Sequence, residues 1–349
     1  MADKVKFGII GTGAIAAKHA EAIQNAANAE LVAVYDQVTD RAKSFAERFG
    51  VRAAASFEEF LADPEVQAVT IATPTGIHGK VAIPAANAGK HILCEKPLDV
   101  TVEKADAIID ACHAHGVILS AVFQSRFVKN VELIRQALAA GRFGRIVLAS
   151  AQCKWFRTQE YYDSATWRGT WALDGGGALM NQSIHTVDLL LYLNGDVEEV
   201  TGHIATLSHT GLEVEDNAAA VLKFKNGSLG TIEGSTSCAP GFPRRIEISG
   251  SQGSVVLEDN KLVRWQFAVE APEDEEIRKN GGLPELVGGG AGDPMAISSE
   301  GHRKQIEELS AAILAGKHEV RLSGVEGRRA VALICAIYES SRTGKTIRL

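Results

Sequence analysis

The sequence predicts an α/β protein of two domains. The first is a parallel sheet covered on both faces by helices; the second is an α+β domain on a mostly antiparallel sheet. Three observations carry this. The chain has 349 residues, enough for roughly two domains. Up to about residue 120, short apolar strands alternate with amphipathic helices. Beyond residue 123 the rhythm changes to alternating segments divided by turn signals.

Taken in order, Val5–Ile10 is apolar and β-branched and reads as a strand, and Ala17–Asn25 as a helix. Leu31–Tyr35 is a second strand, and Asp40–Phe49 a helix with Gly50 at its C-cap position. Val66–Ala72 and His91–Cys94 are further strands. Ile77–Ala88 and Thr101–His115 are helices closed by Gly89 and Gly116, and Val117–Val122 is a fifth strand. In the second part, a helix over Val131–Ala140 precedes a strand over Ile146–Lys154, and a helix spans Gly177–Leu193. Strands follow at Glu198–Leu207, Asp216–Phe224, Ser228–Ser235, Arg245–Ser249, Ser254–Glu258 and Leu262–Phe267, with Asn226–Gly227 marking one turn. Helices over His302–Ala315 and Val325–Ser341 close the chain. The expected domains are 1–123 and 124–349.

Composition narrows the function classes. Apolar residues make up 46% and charged residues 23%, as in a globular protein with a full core. The net charge of −7 argues against nucleic-acid partners and anionic membrane surfaces. No run of 18 apolar residues exists to span a bilayer. The N-terminus lacks a charged-then-apolar leader, which points to the cytoplasm. The five cysteines are scattered, with no C-x-x-C, so neither a disulfide framework nor a metal site is expected.

Gly11-Thr-Gly13-Ala-Ile-Ala16 follows a strand and opens a helix. The first glycine permits the turn, the second lets backbone approach a pyrophosphate, and the small third position lets helix and strand pack. Helix-head N–H groups then face the phosphates. Asp36 ends the next strand, 20 residues after Ala16, where a carboxylate accepts from the ribose 2′-OH of NAD and repels the 2′-phosphate of NADP. Arg41 nearby is the one feature that would hold a 2′-phosphate. The competing reading is a glycine-rich turn with a helix-capping Asp.

Glu95-Lys96-Pro97 lies at the carboxyl end of a parallel strand, the edge at which ligands bind in open α/β sheets. The residues alone leave two readings of Lys96 open: a proton-handling group beside a cofactor, or a surface lysine paired to Glu95. In Asp174-Gly-Gly-Gly177-Ala-Leu-Met-Asn181-Gln-Ser-Ile-His185-Thr-Val-Asp188, helical spacing puts Asn181, His185 and Asp188 on one face. His185 suits removal of a proton from an alcohol; the alternative is a buried histidine satisfied by Asp188. The tract Tyr161 to Trp171, with Trp167 and Arg168, suits a sugar or polyol, or is simply a packed loop. Residues 271–298 open acidic and continue glycine-rich, reading as a flexible loop that is either a lid, an oligomer arm or merely solvated.

Together these pieces resemble the Gfo/Idh/MocA oxidoreductase family over nearly the whole chain. The carriers are the glycine loop, Ala72-Thr-Pro-Thr-Gly-Ile-His78, Gly89-Lys-His-Ile-Leu-Cys-Glu95-Lys96-Pro97-Leu and the Gly175–Asp188 tract. The resemblance implies a Rossmann domain over 1–123 and a C-terminal α+β domain with a large open-faced sheet that commonly mediates dimers and tetramers. It implies NAD contacts at Gly11, Thr12, Gly13, Ala14, Ile15, Asp36, Arg41, Thr73, Pro74, His78, Glu95, Lys96, Gln124 and Trp167. It makes Lys96 and His185 catalytic with Asn181, and gives the substrate Lys96, Tyr161, Arg168, Asn181 and His185. The active site would lie in the cleft between the domains. The implied reaction is hydride transfer between the nicotinamide and a secondary hydroxyl or ketone of a sugar, sugar derivative or cyclic polyol. Family dehydrogenases carry Asp-x-x-x-His where this chain has Asn181, so His185 lacks one source of added basicity. That departure looks like members acting on nucleotide-linked hexosaminuronic acids at carbon 3. Family members that sense nucleotides without catalysis are the reading from another class.

Overall fold

The computed structural model describes residues 3–281 and 299–349. These form two units: residues 1–124 with 299–328, and residues 125–298 with 329–349. No helix among the described residues is long and apolar enough to cross a membrane.

The first unit is a βα repeat. Its elements are β1 (Val5–Ile10), α1 (Ala14–Asn25), β2 (Ala29–Tyr35), α2 (Thr39–Phe49), β3 (Arg52–Ala53), α3 (Phe57–Ala62), β4 (Ala68–Ile71), α4 (His78–Asn87), β5 (His91–Cys94), α5 (Val102–Ala114) and β6 (Leu119–Ala121). The strands pair in parallel in the order β3-β2-β1-β4-β5-β6. This is the Rossmann order, with its switch point between β1 and β4. Near-continuous burial of β1, β4 and β5 is what a sheet covered on both faces requires. Gly50, Gly89 and Gly116 take left-handed conformations at the helix ends, as the sequence predicts.

β3 and α3 are absent from the sequence reading, although Ser56-Phe-Glu-Glu59 is a helix-start signature. Ser56 Oγ accepts from the Glu59 N–H at 3.1 Å, and the Glu59 carboxylate accepts from the Ala55 N–H at 3.1 Å.

The second unit contains α6 (Lys129–Ala139), β7 (Ile146–Lys154), α7 (Gln159–Asp163), α8 (Ile184–Asn194), β8 (Val197–Ala205), β9 (Asn217–Phe224), β10 (Leu229–Ser235), β11 (Arg245–Gly250), β12 (Gly253–Glu258), β13 (Lys261–Phe267) and α9 (Asp274–Gly281). Among the described residues its sheet runs β13-β12-β11-β7-β10-β9-β8-β14, where β14 is Ile347–Arg348. Every pairing is antiparallel except β7 with β10. One face buries Ala149, Ala151, Ala220, Leu222, Ile232 and Ile246. Leu148, Val221 and Leu229 on the other face are about half exposed, which is the alternation of an open-faced sheet.

Four expectations are corrected. Residues 299–328, expected in the second domain, belong to the first unit, because α10 (Glu300–Leu314) buries Ile306, Leu309 and Ala312 in the same core as Ala16, Ala20 and Ile23 of α1. α11 (Gly324–Thr343) contains the division at residue 328. The helix expected from Gly177 opens as a π-helical turn over Ala178–Ser183 before α8 begins. Asp188 does not share a half-buried face with Asn181 and His185: it is fully buried on Arg126, whose Nε and Nη2 donate to its two oxygens at 2.9 and 2.5 Å. Finally, 274–281 is helix α9, not loop. Asp274, read as part of a solvated acidic run, is buried and accepts from Arg142, the Trp265 indole at 2.7 Å and the Ala271 amide at 2.8 Å. The rest of the expected loop, 282–298, lies outside the described residues.

Removing one partner of a buried ion pair leaves an uncompensated charge, at about 3–5 kcal/mol. Arg126→Leu is therefore expected to lose about that much stability, read as a lowered urea midpoint, whereas Arg135→Leu on an exposed pair with Glu132 changes it by under about 1 kcal/mol.

Candidate active site

In the first unit the β1–α1 turn is held from two sides. Gly11 has φ +89°, and a Cβ there would lie 2.9 Å from the Ala72 carbonyl oxygen, so only glycine passes between the strand ends. Gly13 faces open space and is exposed, and α1 has no side-chain cap, so its first amides are left for a ligand. Asp36 Oδ2 accepts from the Thr12 N–H at 2.8 Å and the Thr12 hydroxyl at 2.9 Å, and Oδ1 accepts from the Val38 N–H at 2.9 Å. The carboxylate that would meet a ribose thus also fixes the phosphate turn. Arg41 is exposed on α2.

Two polar atoms among the expected cofactor contacts, Thr73 Oγ1 and Gln124 Oε1, are buried with no hydrogen-bond partner. These orphans, the open Gly13 and the uncapped helix head fit a dinucleotide. His78 plays a different part. It is buried, with Nδ1 2.9 Å from the Pro97 carbonyl and Nε2 3.0 Å from the Thr73 carbonyl. Its ring ties the Glu95-Lys96-Pro97 turn to the Thr73–Pro74 loop, instead of presenting itself to a ligand. The Lys96–Pro97 bond is cis, and Lys96 itself is half-buried.

Glu95 also faces inward. Its Oε2 accepts from the Lys96 N–H at 3.0 Å, while Oε1 lies 2.8 Å from His19 Nε2 and 3.6 Å from His302 Nε2. Burial pushes the Glu95 carboxyl up, but the His19 and His302 rings outweigh it and hold it well below the ordinary carboxylate range. Burial pushes His19 below the ordinary imidazole range against the pull of Glu95, and Thr70 Oγ1, 3.0 Å from its Nδ1, orients the ring. Three donor atoms within 4.8 Å of one another could bind a metal ion. The 2.8 Å contact is instead that of a hydrogen bond, and a closed zinc site needs a fourth ligand. No sequence pattern joins His19 and His302, which stand on α1 and α10; only the fold brings them to Glu95.

In the second unit, Asn181 and His185 are the only half-buried residues in an otherwise buried stretch from Asp174 to Leu191. A polar network surrounds Asn181. Its amide donates to Asp174 Oδ1, and its Oδ1 accepts from Gln182 Nε2 at 2.6 Å. Gln182 Nε2 also donates to the Tyr161 hydroxyl at 2.9 Å, and Gln182 Oε1 accepts from Arg157 at 2.9 and 3.1 Å. Arg168 donates to the same hydroxyl at 2.6 Å and lies 4.2 and 4.6 Å from the Tyr161 and Trp167 ring centroids. Its Nε is buried with no hydrogen-bond partner. The structure therefore gathers Tyr161, Trp167, Arg168 and Asn181, and adds Asp174, Gln182 and Arg157. The carboxyl group that Asn181 lacks is present on Asp174, its hydrogen-bond partner.

Loss of a hydrogen bond to a charged group costs about 1.5–3 kcal/mol, or roughly 10- to 100-fold in affinity. Asp36→Ala is expected to weaken NAD+ binding by that factor and to narrow the preference over NADP+, as measured by calorimetric titration of both nucleotides.

Comparison with known proteins agrees with the fold of both units. Residues 5–123 match the model of the oxidoreductase family with an NAD-binding Rossmann fold, and residues 131–256 match the GFO/IDH/MocA C-terminal domain. The chain is 30% identical to the myo-inositol 2-dehydrogenase of Thermotoga maritima, over 93% of this chain and 100% of that one. It is 30% identical to the levoglucosan dehydrogenase of Pseudarthrobacter phenanthrenivorans over 64% of this chain and 63% of that one. The crystal structure of the WlbA dehydrogenase from Bordetella pertussis in complex with NADH and UDP-GlcNAcA superposes with a TM-score of 0.89 at 35% identity, covering 100% of this chain and 98% of that one. With both halves matched and a full-length relative at this identity, the chain belongs to the Gfo/Idh/MocA family of NAD-binding oxidoreductases.

Proposed function

We propose that this enzyme oxidises a secondary ring hydroxyl, at carbon 3, of a nucleotide-linked hexosaminuronic acid. The observation that carries this reading is the setting of Asn181: it stands between Asp174 and Gln182, and Gln182 and the Tyr161 hydroxyl link it to an Arg168 stacked on two aromatic rings with a buried, unpartnered Nε. A guanidinium so placed suits a carboxylate or diphosphate, and the aromatic faces suit a pyranose. The similarity to the WlbA dehydrogenase supports the same substrate class.

A bound nicotinamide would supply the acceptor for the hydride lost from the hydroxyl-bearing carbon, which becomes a ketone. The protein does the rest. The head of α1 and Asp36 hold the dinucleotide. His185 accepts the hydroxyl proton, and Lys96 hydrogen-bonds the developing alkoxide. Asn181, Tyr161 and Arg168 orient the sugar. In the reverse direction His185 returns the proton.

The test is NADH formation, followed through the first turnover and at steady state, with UDP-GlcNAcA, myo-inositol and levoglucosan in parallel. Turnover of the nucleotide sugar supports the proposal. Turnover of myo-inositol alone would replace it with the polyol reading that the 30% identical Thermotoga relative favours. Lys96→Met and His185→Ala are each expected to lower kcat by about 10²–10⁴ with NAD+ affinity nearly unchanged. Full turnover in either variant removes that residue from the mechanism.

The protein is further proposed to act in the cytoplasm as a homodimer or tetramer, joined through the outer face of the large sheet. On that face Leu148 pairs with Leu229 on the neighbouring strand, each about half exposed, with Val221 close by. Light scattering should give a dimer or tetramer mass, and Leu148→Glu with Leu229→Glu should reduce it to the monomer.

A further inference from the structure

Gly176, Gly177, Tyr338 and the buried Glu215 have no part in the mechanism above, yet they meet. Three consecutive amides at the head of the π-helical turn point at this one residue. The Gly177 N–H donates to Glu215 Oε2 at 3.0 Å, the Ala178 N–H to the Glu215 carbonyl at 3.0 Å, and the Leu179 N–H to Oε1 at 2.8 Å. Tyr338, from the far end of α11, donates its hydroxyl to Oε1 at 2.9 Å. The glycines make room for this clamp. A Cβ on Gly176, which has φ +154°, would lie 2.1 Å from the Tyr338 hydroxyl oxygen, and one on Gly177 would lie 1.9 Å from the Glu215 carbonyl oxygen. The next turns carry Asn181 and His185.

We propose that Glu215 and Tyr338 form a protonation-sensitive latch that positions the helix bearing Asn181 and His185. The ionised carboxylate accepts from both amides and the phenol. A protonated one has fewer lone pairs for these three donors, and its C–OH oxygen accepts only weakly, so the contact which that oxygen makes with the turn weakens. Burial pushes this carboxyl up to about 7, against the pull of the amides and Tyr338. Tyr338 acts on it directly, and the carboxylate's charge reaches Tyr162 of α7, which also feels Asp174; both phenols are pushed above their ordinary value by burial and in part by this carboxylate. Cys335 acts on the Tyr338 phenol in turn. The adjacent Asp216 is turned away, accepting from the Leu207, Ser208 and His209 amides and held at about 2.

The inference rests on the proposed role of His185, and its test separates the two. Kcat is measured from pH 5.5 to 9 for the wild type, Glu215→Gln and Tyr338→Phe, alongside infrared difference spectra of the protonated carboxyl band. Wild-type kcat should fall below about pH 7. Tyr338→Phe removes a donor to the ionised form, so its acid limb should move to higher pH. Glu215→Gln should lower kcat several-fold at pH 8 without changing the KM for NAD+, and should lose both the infrared band and that part of the limb.

Stability carries the opposite sign. A carboxyl whose folded value is raised from 4.5 to about 7 contributes most below the lower value and loses its contribution as pH rises through the higher. The Tm of the wild type relative to Glu215→Gln should therefore fall from pH 5 to pH 8. A uniform loss of kcat at all pH, with an unmoved limb in Tyr338→Phe, would show Glu215 to be structural only and overturn the latch. Should Glu215→Gln not fold, the Tyr338→Phe limb and the wild-type infrared titration decide. Should His185→Ala remain active, the proposed base fails while the infrared band and the Tm difference still test the latch.

Discussion

The amides at the head of a helix need an acceptor, because no preceding turn supplies one. That constraint organises both units. At α1 the fold leaves the need unmet: Gly13 is open, no side chain caps the helix, and Asp36 reaches only as far as Thr12. At the turn before α8 one buried glutamate takes three successive amides, those of Gly177, Ala178 and Leu179. The first arrangement is a seat for an anion, whereas the second is a rigid mount. One sequence feature, a glycine run ahead of a helix, serves both ends because its backbone approaches whatever must supply the negative charge.

Buried charge in this protein is consistently shared. Glu95 lies among two imidazoles and a backbone amide, Asp188 takes both arms of Arg126, and Asp274 collects Arg142, an indole and an amide. Each carboxylate offers several lone pairs, and desolvation is tolerable only when most are filled. Asp188 and Asp274 both mislead when read from the sequence. Asp188 falls at helical spacing from His185, yet its partner is 62 residues away. Asp274 sits in an acidic run, yet faces inward.

The first unit was almost fully legible because its information is local. Apolar strands, C-cap glycines and the β1–α1 turn each declare themselves within a dozen residues. What was missed there, β3 and α3, is short, and its one signal was the Ser56–Glu59 start. The polar network of the second unit was legible only in part. Asn181 and His185 stood out by spacing, and Tyr161, Trp167 and Arg168 by composition. Gln182, Arg157 and Glu215 act through hydrogen bonds between residues 21 or more apart that no periodicity encodes, and Asp174 through a side-chain bond to Asn181 across the glycine run. The assignment of 299–328 failed for the same reason: the apolar stripe of α10 says that it must be buried, but not in which core.

That return of α10 has a consequence for how the chain acquires its structure. The core of the first unit is built from the beginning of the sequence and from residues 299–328, with some 170 residues of the second unit between them. A nascent chain released to residue 124 carries all six parallel strands but lacks the helix that covers α1. Its surface around Ala16, Ala20 and Ile23 stays open until the second unit has been synthesised. The nucleotide-binding half, first to be translated, is thus among the last to be sealed.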